Sequence, residues 1–115
     1  AEAAPAADVA AAQLAPTGPI VSMLGGTWTQ ATIDLAPGEA VVLFTDGLVE
    51  ARGAGGLELG WEPIAAWSAQ LLHESADDAP AERAQYLAAG VLDRARAAAP
   101  ELRRDDVTVI ALLRT

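Results

Sequence analysis

The run Val41-Val42-Leu43-Phe44 constrains this chain more than any other feature. It is bracketed by Pro37-Gly38 and Gly47, so it is too short for a buried helix. Its β-branched and aromatic side chains suit a pleated, packed surface. A continuous apolar run predicts a central strand over residues 41–45, buried on both faces and flanked on both sides. The strand ends in Thr45-Asp46-Gly47. A carboxylate therefore stands at a strand end, followed by a glycine that lets the chain turn and a ligand approach.

Two other segments read as neighbours of that strand. Over residues 27–35, Ala31, Ile33 and Leu35 fall on one face and Trp28, Gln30, Thr32 and Asp34 on the other. Pro37-Gly38 then predicts a type II turn, with glycine supplying the positive φ. Over residues 107–113, Val107, Val109, Ala111 and Leu113 alternate with Thr108, Ile110 and Leu112. Between the strands, residues 47–60 form an expected loop with glycines at 47, 53, 55, 56 and 60.

Two helices should follow that loop. The first spans about residues 63–72, with Pro63 in its first turn and Ile64, Trp67 and Leu71 on one face. The second spans about residues 80–98 and is stopped by Pro100. Leu87, Val91 and Ala95 line its apolar face, with Ala84, Ala88, Leu92 and Ala98 alongside. Gly90 weakens that helix by about 1 kcal/mol relative to alanine, which predicts a close contact there. The order is strand, strand, loop, helix, helix, strand: an α+β arrangement with about three antiparallel strands, two helices and an unpaired sheet edge.

The 115 residues suffice for one small domain. Residues 1–17, rich in alanine and proline, read as a linker or preceding segment, and residues 18–115 as the domain. The net charge of −9 would repel a phosphate backbone, so nucleic acid is not an expected partner. There is no cysteine, which excludes disulfides and thiolate chemistry and fits a cytoplasmic protein. No charge lies between Asp8 and Asp34, but Pro16, Pro19, Gly25 and Gly26 interrupt the stretch, so no membrane span is expected.

The residues able to carry chemistry are acidic. Asp105-Asp106 directly precedes the last strand. If that strand runs antiparallel to the one ending at Asp46, both acidic ends reach one rim. Two carboxylates about 4 Å apart repel by roughly 4 kcal/mol at an effective dielectric near 20. A proton or cation must offset that, and oxygen-only donors suit Mg²⁺ or Mn²⁺. The alternative reading is that each aspartate is an ordinary turn or cap residue. His73 is lone, near a helix end where a cation suits the dipole. Trp28, Trp61 and Trp67 read as packing residues. Ser22, Ser68 and Ser75 have no patterned base, and the loop at Gly53 to Gly56 lacks the lysine of a nucleotide-binding loop.

The segment Leu43-Phe44-Thr45-Asp46-Gly47-Leu48-Val49-Glu50-Ala51-Arg52 resembles the strand and loop of SpoIIE-like phosphatases, the bacterial branch of the PPM (type 2C) class. Gly60 fits the glycine after that loop, and Arg104-Asp105-Asp106-Val107-Thr108 resembles the final strand motif. Gly18 to Met23 and Leu35-Ala36-Pro37-Gly38-Glu39 fit the approach strand and turn, although Ser22 replaces a usual glycine. The resemblance runs from about Gly18 to Arg114 and covers the C-terminal half of the family's domain.

It implies an α-β-β-α sandwich and a protein serine/threonine phosphatase with two Mn²⁺ or Mg²⁺ ions. By position, Asp46 and Asp105 would be ligands of one metal. Asp106, Gly47 and Glu50 would be neighbouring or structural residues. The substrate it implies is a phosphorylated anti-sigma-factor antagonist. The family's remaining ligands lie in the N-terminal half of its domain, and nothing before Gly18 matches them. That half, or a second copy, is therefore an expected partner. A catalytically inactive interaction module is the competing reading. A receiver-like domain phosphorylated at Asp46 fits less well, because two successive helices replace strand-helix alternation.

Overall fold

The computed structural model describes residues 11–18, 23–102 and 107–115. Their elements are β1 (Ala40–Phe44), α1 (Asp46–Glu50), a 3-10 turn (Ala54–Gly56), α2 (Glu62–Glu74), α3 (Pro80–Ala98) and β2 (Val109–Leu113). The class is α+β. β1 and β2 form one antiparallel sheet, with Ala40 opposite Leu113 and Phe44 opposite Val109.

The ladder explains which side chains go inward. Ala40, Val42 and Phe44 of β1 and Val109 and Ala111 of β2 pack against the core. That core is centred on Leu48, Ile64, Leu71, Leu87, Val91, Ala95 and Val107. A two-residue period then turns Leu43, Ile110 and Leu112 the other way, and each is about half exposed (49%, 48% and 53%). The expectation that the Val41–Phe44 run is buried on both faces is therefore not met. One face packs on helices and the other is open.

The expected third strand is also absent among the described residues. Residues 27–35 enter no ladder, and Trp28 and Ile33 are 42% and 47% exposed. A backbone hydrogen bond from Thr29 N–H to the Thr17 carbonyl (3.2 Å) holds this stretch locally. Alternation gives a segment two faces but provides no surface to bury one against. The neighbour of β1 is β2, brought back from the far end of the chain. The turn before β1 does form, with Gly38 at φ +88° and the Glu39 amide donating to the Ala36 carbonyl at 2.9 Å. The Gly38 amide donates to the Arg114 carbonyl, and the Arg114 amide to the Glu39 carbonyl, which extends the sheet past Ala40.

The helices follow their apolar spacing. α3 runs from Pro80 to Ala98 as the two prolines imply, and Leu87, Val91 and Ala95 are fully or almost fully buried. α2 gains a residue before Pro63 and extends to Glu74, with Ile64 and Leu71 buried and Trp67 partly so. The two helices approach closely at Gly90. A Cβ there would lie 2.5 and 2.8 Å from the two terminal carbons of Leu71. The same helices are laced at the surface. The Tyr86 hydroxyl donates to Glu74 at 2.8 Å, and Arg94 lies 3.5 Å from the same carboxylate. No helix among the described residues is long and apolar enough to cross a membrane.

Candidate functional site

The antiparallel register puts the C-terminal end of β1 beside the N-terminal end of β2. Phe44 is paired with Val109, so Thr45 and Thr108 form the next step of the ladder. The Thr45 amide donates to the Thr108 carbonyl at 3.1 Å. The return bond is unusual: the Thr108 amide donates to the Thr45 hydroxyl oxygen, Oγ1, at 2.9 Å. The Thr45 carbonyl accepts instead from the Leu48 amide at 3.0 Å, closing the first turn of α1. The chain thus leaves the sheet and enters a helix at a single residue.

Asp46 is the first residue of α1 and is exposed at this rim. A carboxylate in a first helical turn is favourably placed towards the unpaired amides. α1 is held down by Leu48, whose side chain is fully buried. This corrects the expectation of an open loop over residues 47–60. Its first four residues complete α1, and its remainder folds back through a bridge between Arg52 and Glu58. Gly47 therefore sits inside a helix, not at a free turn. Glycine is needed at Gly55, Gly56 and Gly60, all at positive φ, and the Gly60 amide (φ +73°) donates to the Val49 carbonyl at 3.0 Å and closes the excursion.

Glu50 ends α1 and is exposed. With Gly47, Ala51, Arg52, Glu101 and Leu102 it lines an open groove beside the rim. The Arg52 guanidinium is engaged with the Gly56 carbonyl at 2.5 Å, across the small hairpin. Asp105 and Asp106 lie outside the described residues. The rim is thus described on the β1 side through Asp46 and on the β2 side down to Val107, which is nearly buried.

Sequence reasoning missed two features of this site. One is the helical turn at Asp46, whose signal was the buried Leu48 two residues after the aspartate. The other is the Thr45 hydroxyl, which local sequence alone does not reveal because its partner is 63 residues away. His73 is exposed in the last turn of α2, away from any cluster of possible ligands among the described residues.

The family model described as Stage II sporulation protein E (SpoIIE) matches residues 5–115, nearly the whole sequence. The chain belongs to the SpoIIE family. No curated protein and no solved structure matches it.

A family of this kind brings a divalent cation into consideration. The donor chemistry at the rim fits in kind, since Asp46 offers an exposed hard-oxygen ligand at a strand end. It falls short in number, because no group of three or more His, Cys, Asp or Glu side chains gathers among the described residues.

Proposed function

We propose that this chain supplies part of the active site of a metal-dependent protein serine/threonine phosphatase. The observation that carries the reading is the antiparallel register of β1 and β2, which brings the Asp46 end of one strand beside the start of the other. Asp105 stands two residues before Val107 in the sequence, so the second carboxylate belongs to the segment entering that start. Asp46 and Asp105 would hold one Mn²⁺ or Mg²⁺, and Asp106, Gly47 and Glu50 would border it.

When bound, such an ion supplies an acidified water for in-line attack on a phosphoserine or phosphothreonine phosphorus. The chain's own part is to hold carboxylates on a rigid sheet end. Their mutual repulsion disfavours the empty, doubly ionised state and favours a cation. Remaining ligands would come from the N-terminal half of the domain or from a second copy. The substrate we infer from family resemblance is a phosphorylated anti-sigma-factor antagonist, in a cytoplasmic regulatory switch.

In the full-length protein, Asp46→Asn and Asp105→Ala should each abolish Mn²⁺-dependent hydrolysis of p-nitrophenyl phosphate. Wild-type activity in either variant removes the ligand assignment. A second reading, a non-catalytic interaction module, draws support from the open apolar face at Leu43, Ile110 and Leu112. Absence of Mn²⁺-dependent hydrolysis in the wild-type full-length protein, with partner binding retained, would favour it.

A further inference from the structure

We draw no further inference here: the strongest candidate, the open apolar face of the β1–β2 sheet at Leu43, Ile110 and Leu112, is unpartnered among the described residues, and nothing in the structure shows what covers it.

Discussion

Gly90→Ala sets two effects of known sign against each other. Alanine in a helix interior is favoured over glycine by about 1 kcal/mol, so an open position would be stabilised. Position 90 is not open. The added Cβ would sit 2.5, 2.8 and 3.2 Å from Cδ2, Cδ1 and Cγ of Leu71. Carbon atoms pack best at about 3.5–4.0 Å, so all three contacts are too close. Leu71 is 2% exposed and cannot swing into solvent, and a rotation of its terminal methyls leaves Cγ in the way. α2 and α3 must then move apart, or Leu71 must leave its rotamer. Such overpacking costs about 1–3 kcal/mol. With about 2–3 kcal/mol taken for three short contacts and about 1 kcal/mol returned by propensity, the net loss is about 1–2 kcal/mol.

Urea unfolding followed by helical circular dichroism measures this directly. A double-mutant cycle with Leu71→Ala separates the causes. Leu71→Ala alone should cost about 2–5 kcal/mol, and adding Gly90→Ala should then stabilise, since the new methyl partly fills the vacated space. A Gly90→Ala single variant as stable as wild type, or more so, refutes the close-contact argument.

Three further outcomes follow from the structure. Leu87→Ala, in a side chain 1% exposed, should lower stability by about 2–5 kcal/mol, whereas Leu43→Lys on the open sheet face should stay within about 0.5 kcal/mol by the same denaturation assay. The Tyr86 phenol is raised above its ordinary value of 10.0 by its hydrogen bond to Glu74, then by slight burial and by the charge of that carboxylate. A raised folded pKa means that the neutral hydroxyl is favoured in the native state. Its contribution is present below pH 10.0 and lost as pH rises through the folded value, so ultraviolet titration should place Tyr86 above 10.0, and Tyr86→Phe should remove that alkaline loss. Gly60→Ala, at φ +73°, should destabilise the return from the hairpin by about 1 kcal/mol or more in thermal unfolding.

What was legible in the sequence was local in origin. α3 is bounded by Pro80 and Pro100, and its apolar stripe at Leu87, Val91 and Ala95 is the buried one. The close approach at Gly90 was foreseeable, because a glycine tolerated mid-helix implies something against it. The inward and outward sets of β2 followed from a two-residue period, and the turn at Gly38 from Pro37-Gly38.

What was not legible depends on partners distant in sequence. The alternation over residues 27–35 is as regular as that of β2, yet only β2 has a strand to pair with among the described residues. The apolar run of β1 implied two covers, and one face remains open at Leu43. At the site, the aspartate at the end of β1 was visible, but its place inside a helical turn was not. Glycine at 47 argued for a loop, and the burial of Leu48 outweighed it. The antiparallel meeting of the two strand ends entered only as a condition; the register and the hydrogen bonds meet it as far as Thr108.

The central claim is that the two strand ends share one cation, and paramagnetic broadening by Mn²⁺ tests it most directly. In nuclear magnetic resonance spectra of the full-length protein, substoichiometric Mn²⁺ should broaden the amides of Gly47 and Val107 together and first. EDTA should reverse the effect, and Asp46→Asn should remove it. Broadening at only one of the two ends, or equally at the exposed acids Glu62, Asp77 and Asp78, would contradict a shared site.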